Sequence, residues 1–161
     1  MKSLTSMAGA VGALLKERGD TVAVSESSTG GLVSASLLAV PGASAYFVGG
    51  GAVYTATARA GLLGINMDDH PGMRASTEPY ASLAAKSIRD RLGTVWGLSE
   101  TGAAGPTGNR YGDDAGHTCI AVVGPVEFST TLETGKADRE ENMWAFAEET
   151  LRVFEEVLRG A

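Results

Sequence analysis

Seven consecutive residues, Ser25-Glu26-Ser27-Ser28-Thr29-Gly30-Gly31, bring hydroxyls, a carboxylate and two glycines into one turn. They follow a short apolar run, Thr21-Val22-Ala23-Val24, and precede a helical stretch, Leu32 to Ala39. The first N–H groups of a helix lack intrahelical partners and the helix dipole favours negative charge there. Such a turn can hold an anion or expose a hydroxyl nucleophile. It can equally be a helix cap, since Ser and Thr are preferred caps. A second polar stretch, Thr101-Gly102-Ala103-Ala104-Gly105-Pro106-Thr107-Gly108, continues polar to Gly116. Eleven of the residues from Thr101 to Gly116 are Gly, Pro, Thr, Asn or Asp, a long stretch to serve turns alone.

The elements around these two stretches set their relative position. Helical spacing predicts helices over Ser3–Arg18, Leu32–Ala39, Ala56–Leu63, Thr77–Leu92 and about Asp138–Leu158. In the last of these, Trp144, Ala147, Leu151, Phe154 and Leu158 mark the apolar face. Strands are expected over Thr21–Ser25, Tyr46–Tyr54, Thr94–Ser99, His117–Val123 and Val126–Leu132, the last two joined as a hairpin by Gly124-Pro125. Gly49-Gly50-Gly51 inside a strand signals a bulge or a close backbone approach. Residues 66–76 read as a loop. Early alternation followed by a late hairpin gives an α/β fold with a mixed sheet and helices on both faces, a single domain over 1–161. Ligands of such sheets sit beyond the carboxyl ends of strands, so the 25–31 and 101–108 stretches are expected to wall one cleft.

Composition narrows the function classes. The chain has 161 residues, 43% hydrophobic, with a net charge of −6. An acidic balance argues against nucleic acid or anionic membrane as partner, though not against a small phosphorylated ligand in a locally positive pocket. No segment reaches the length of a membrane span. One cysteine, Cys119, excludes an intrachain disulfide and suits a buried thiol in a reducing cytoplasm. His70 and His117 stand far apart without paired ligands, so no metal site is expected. Asp68-Asp69-His70 reads as a polar loop and Asp113-Asp114 as solvated. Trp96 and Trp144 are read as core or interface residues.

Several motifs, in order along the chain, resemble the CinA C-terminal domain family. Ser25–Gly31 is close to its A-E-S-C-T-G-G element, and Pro41-Gly42-Ala43-Ser44-Ala45-Tyr46-Phe47 matches P-G-A-S-A-x-F. Gly50 through Tyr54 to Arg59 partly matches a G-x-x-x-Y-[ST]-N-x-x-K element, and Gly102-Ala103-Ala104-Gly105-Pro106 matches a G-x-A-G-P loop. The resemblance covers about Leu4 to Leu158. It implies a three-layer α/β/α sandwich and, from the family's active members, cofactor-free hydrolysis of the carboxamide of nicotinamide mononucleotide. Homo-oligomeric association is also implied.

By the same resemblance Ser27 is the nucleophile, with Tyr54 and Arg59 as the other catalytic positions and Ser44 a supporting polar group. Glu26, Thr29, Gly30, Gly31, Gly102, Ala103, Gly105 and Arg139 would contact the substrate. The N–H groups of Thr29–Gly31 would meet the oxyanion, and Glu26 would pair with Arg59. Three departures stand out: Arg59 replaces the family's lysine base, Ala56 its asparagine and Ser28 its cysteine. Arginine stays protonated and is a poor base. Three readings follow. Arg59 binds an anion while Tyr54 or Glu26 moves the proton; or the chain binds a nucleotide without turnover; or it acts on a related amide.

Overall fold

The computed structural model describes residues 3–161. Five strands, β1 (Val22–Glu26), β2 (Phe47–Ala52), β3 (Trp96–Ala103), β4 (His117–Val123) and β5 (Glu127–Glu133), form one mixed sheet ordered β2-β1-β3-β4-β5. β1 pairs in parallel with β2 and β3, and β3-β4-β5 is antiparallel. Helices α1 (Leu4–Arg18), α2 (Leu32–Ala39) and α5 (Arg139–Gly160) pack on one another over one face. Helix α4 (Glu78–Leu92) covers the other, beside the short α3 (Ala56–Ala58), which runs into a π-helical turn, Arg59–Leu63. The result is the expected three-layer α/β/α sandwich.

Burial explains the strand patterns. β1 and β4 are interior strands with every residue buried, so β1 reads as a continuous apolar run that ends on polar residues. The larger core lies between the sheet and α1, α2 and α5; Trp96 is fully buried there, edge-on to Phe154. Helix α5 buries Phe146, while Trp144 is only half-buried, so the apolar face is rotated slightly from the expected one. Of the two causes foreseen for the triple glycine of β2, the close approach holds: a Cβ on Gly50 would lie 2.2 Å from the Val24 carbonyl oxygen. The bulge falls one residue earlier, at Val48, and the glycines pair in register with Ala23, Val24 and Ser25.

Two expectations are corrected. β3 runs on past Ser99 through Glu100, Thr101 and Gly102 to Ala103, because β4 supplies antiparallel partners from Ala121 to His117. The loop that follows is accordingly shorter. Asp113 is not solvated: Arg74 holds it through two hydrogen bonds, at 2.7 and 3.2 Å, and Asn109 Nδ2 donates to it at 2.7 Å.

Candidate active site

The parallel pairing of β1 with β3 ends where β1 ends, and the last paired residues are both glutamates, Glu26 and Glu100. Both are almost fully buried. Glu26 accepts hydrogen bonds from the N–H groups of Gly31 (2.8 Å), Val33 (3.1 Å) and Ser34 (2.9 Å). It thus caps α2 from the preceding strand, where the dipole favours a carboxylate. Gly31, with φ of 110°, makes the turn that aims these groups back at β1, and α2 has no cap from its own N-cap side chain. Glu100 accepts from the N–H groups of Ser27 (3.1 Å) and Thr29 (2.9 Å), from Thr118 Oγ1 (2.7 Å) and from the Ser28 hydroxyl.

These contacts overturn part of the expected site. The anion at the helix N-terminus is the protein's own. Thr29 N–H serves Glu100, Gly30 N–H serves the Ser27 carbonyl and Gly31 N–H serves Glu26. None of the three can double as an oxyanion donor. Glu26 points its oxygens at α2 and Thr29, so it neither pairs with Arg59 nor faces a substrate. Ser27 emerges free. Its side chain is half-buried, and nothing among the described residues hydrogen-bonds its hydroxyl.

Ser27, Tyr54 and Arg59 line one hollow of about 310 Å³ with Thr55, Ser76, Tyr80, Thr101, Arg110 and Tyr111. A second hollow of about 260 Å³ adjoins it, sharing Tyr54, Gly102 and Asn109 and adding Ala103, Gly105 and Arg139. Arg139 stands at the start of α5; one guanidinium nitrogen donates to the Tyr54 hydroxyl at 3.0 Å and the other to the Gly105 carbonyl. The two sequence stretches therefore wall one cleft at the carboxyl ends of the parallel strands.

Ser44 lies elsewhere. It sits exposed in a 3₁₀ turn, Ala43–Ala45, just before β2. β2 runs parallel to β1 with Phe47 beside Val22 and Ala52 beside Glu26. The turn is therefore at the opposite end of the sheet from the Ser27 cleft.

Electrostatics mark the cleft. Arg59, Arg110 and Arg139 line it, and no Asp or Glu does among the described residues. On a chain of net charge −6 this is a local positive hollow. The Arg59 guanidinium lies over the Tyr80 ring, 5.6 Å from its centroid. Burial pushes the Tyr80 phenol above its ordinary value, while the adjacent Arg59 works in the other direction. Tyr111 is flanked by Arg74 and Arg110, whose guanidinium carbons lie 4.9 and 5.0 Å from its ring centroid. The Arg74–Asp113 pair fixes the strap that carries Arg110 and Tyr111.

The sequence reading missed Glu100, Ser76, Tyr80, Arg110 and Tyr111. Glu100 carried a signal: a carboxylate beyond the apolar residues Trp96 to Leu98 of a strand needs buried partners or a site. The others reach the cleft only through the path of residues 66–116.

Comparison with known proteins agrees with this architecture. The CinA C-terminal domain family matches residues 4–158. A CinA-like protein of Nostoc sp. is 42% identical over 120 residues, covering 74% of this chain and 28% of that protein. One from Synechocystis sp. is 37% identical over 139 residues, covering 86% of this chain and 33% of that protein. The chain thus spans about a third or less of the length of these relatives. Among solved structures, a CinA superfamily protein from Klebsiella pneumoniae superposes with a TM-score of 0.92 at 20% identity, covering 99% of this chain and 100% of that one. A competence/damage inducible protein from Agrobacterium tumefaciens gives a TM-score of 0.88 at 23% identity, covering 99% of each. With its motifs, its sheet order and the family match over nearly its whole length, the chain belongs to the CinA C-terminal domain family.

Proposed function

We propose that this chain is a serine amidohydrolase acting on the carboxamide of nicotinamide mononucleotide or a closely related nucleotide amide. The observation that carries the reading is the pairing of an uncommitted Ser27 hydroxyl with a cleft lined by three guanidiniums and no carboxylate. A phosphorylated ligand suits the charge, and the family resemblance supplies the amide.

In this reading Ser27 Oγ attacks the carboxamide carbon, ammonia leaves, and water releases the carboxylate product. Because the α2 N–H groups are committed to Glu26 and Glu100, Arg59 takes the part of the oxyanion donor. A fixed cation aimed at developing negative charge stabilises a transition state strongly in a partly closed site. Arg139 and the Gly102–Gly105 segment form the phosphate end, with Tyr54 between the two ends. Glu26 is turned away, so the Tyr54 phenol relays the proton: its oxygen accepts from Ser27 as its own O–H donates to the departing nitrogen, which leaves as ammonia.

Arg59 also favours a second reading. Where a lysine could act as base, a permanent cation cannot, and the chain then binds the nucleotide without turning it over. Ammonia release from nicotinamide mononucleotide, measured for the native chain and for Ser27→Ala, separates the two. Release that depends on Ser27 supports the hydrolase. Saturable binding with no release supports the second.

A further inference from the structure

Ser76 has a φ of 60°, the one non-glycine residue in the left-handed region among the described residues. Such a backbone persists only where its surroundings over-determine it, and such positions cluster at ligand sites. Its N–H donates to Thr101 Oγ1 at 3.1 Å, and its carbonyl accepts from His117 Nε2 at 2.8 Å and faces Cys119 Sγ at 3.5 Å. The side chain is another matter. Ser76 is only 6% exposed, yet its hydroxyl has no partner among the described residues. No fully buried side-chain polar atom of the described chain is left without a partner. The Ser76 hydroxyl therefore opens onto the remaining free space, the hollow it lines with Ser27 and Arg59.

Behind Ser76, both ring nitrogens of His117 face oxygen acceptors: Nδ1 the Glu133 carboxylate and Nε2 the Ser76 carbonyl. A neutral imidazole has one N–H, so only the imidazolium donates to both. The charged and titratable groups around it are Glu133 from β5, Cys119 from β4 (Sγ 3.7 Å from Nε2) and Asp113 from the strap (Oδ2 3.7 Å from Nε2), itself tied to Arg74. Glu78 of α4 stands beyond Cys119, on Thr131. Burial pushes the Cys119 thiol up, which keeps it neutral. Burial also works against charge on His117, but Glu133, the Ser76 carbonyl and Asp113 outweigh it, and the ring titrates above its ordinary value.

We propose that Ser76 is a ligand-binding residue of the cleft, and that His117, protonated, positions it through the Ser76 carbonyl. The proposal rests on the reading of the cleft as a nucleotide-amide site. A hydroxyl offers one donor and two acceptor sites, so it suits an uncharged donor-acceptor group such as the carboxamide, leaving the phosphate to the arginines. When His117 loses its proton, the remaining N–H goes to the carboxylate, the stronger acceptor. Nε2 then sets a lone pair against the Ser76 carbonyl oxygen, and the strained residue shifts. Since the folded-state value is raised, the contribution is complete below about pH 6.5, the unfolded value. It is lost as pH rises through the folded-state value.

Calorimetric titration with nicotinamide mononucleotide between pH 5.5 and 9 tests this in the native chain, Ser76→Ala, Ser76→Gly and His117→Gln. At pH 6 both Ser76 variants should bind roughly threefold to tenfold more weakly, the loss of one hydrogen bond. Ser76→Gly relieves the positive φ, so its Tm should not fall, which separates a lost contact from a lost fold. The native advantage over Ser76→Ala should shrink toward pH 9, and His117→Gln should lack that pH-dependent component. The ligand phosphate titrates with either protein, so the difference between the native and His117→Gln profiles isolates the His117 component. Native binding at pH 6 with both Ser76 variants unchanged overturns the contact. A pH profile in His117→Gln identical to the native one overturns the positioning role. A native chain that does not bind the nucleotide at all overturns the nucleotide-amide reading itself, a result distinct from either.

Discussion

Glu26 and Glu100 are register partners on adjacent parallel strands, and the Thr29 hydroxyl lies 2.7 Å from the first carboxylate and 2.9 Å from the second. One hydroxyl proton is thus shared between two buried acids. Around this pair Glu26 caps α2, Glu100 holds the turn backbone and the Ser28 hydroxyl, and the half-buried Ser27 hydroxyl has no hydrogen-bond partner among the described residues. The helix start that an anionic substrate could have used is filled from within. The cleft's positive character must therefore come from arginine side chains.

Removing the Glu26 cap should destabilise the chain. Glu26→Ala strips the acceptor from the Gly31, Val33 and Ser34 N–H groups. Helix caps and charge-assisted hydrogen bonds together put the loss at about 3 kcal/mol. For a chain of this size, Tm should fall by roughly 6–12 °C. Glu26→Gln should lose less, because an amide oxygen still accepts. Thermal melts of the three proteins check this; a Glu26→Ala Tm within 2 °C of native, roughly the shift of a surface change, would contradict the cap.

The strap that carries Arg110 and Tyr111 should loosen in acid. Hydrogen bonds from Arg74, set against burial and joined by Asn109, hold the Asp113 carboxyl below its ordinary value. A depressed folded-state value means that its contribution is present above the unfolded value of about 3.9 and lost as pH falls through the folded one. Limited proteolysis between residues 104 and 116 should stay slow at pH 7 and quicken in Asp113→Asn at the same pH. Equal cleavage rates for the two at pH 7 would remove Asp113 from that role.

Arg59 separates two chemistries. Arg59→Lys, with Ala56→Asn beside it, introduces a side chain that can lose its proton when desolvated. A positioned base contributes about a hundredfold to ten-thousandfold. If the native chain turns over slowly for want of a base, ammonia release by the double variant should rise at least roughly tenfold. If instead it falls, the guanidinium has a role that lysine cannot fill, as the oxyanion assignment to Arg59 requires.

The fold was legible because its signals are local. β1 is a buried apolar run that ends in polar residues, α4 starts on Thr77 and ends at Gly93, and Gly124-Pro125 lies between β4 and β5. Ser27, Tyr54 and Arg59 were expected together from the resemblance of their motifs to the family's, and they line one hollow. Ser44 was placed by motif resemblance alone, although its position before β2 sets it at the end of a parallel strand opposite the Ser27 cleft. Glu26 was misread because a strand-end carboxylate looks the same in sequence whether it faces a ligand or the next helix. Glu100 and Ser76 went unassigned, and His117 was read only as a histidine without paired metal ligands, because their partners lie 18 to 73 residues away, Thr118 with Glu100, His117 with Ser76 and Ser27 with Glu100. Hydrophobic periodicity carries no trace of these.

The most direct test of the central claim is ammonia release from nicotinamide mononucleotide by the purified native chain beside Ser27→Ala. Measurable release should occur with the native chain, and Ser27→Ala, with an unchanged Tm, should lower it by roughly a millionfold, the scale of losing a nucleophile. Release that survives Ser27→Ala would contradict the assignment of Ser27. No release from the native chain, with saturable binding retained, would contradict the hydrolase and leave a nucleotide-binding domain.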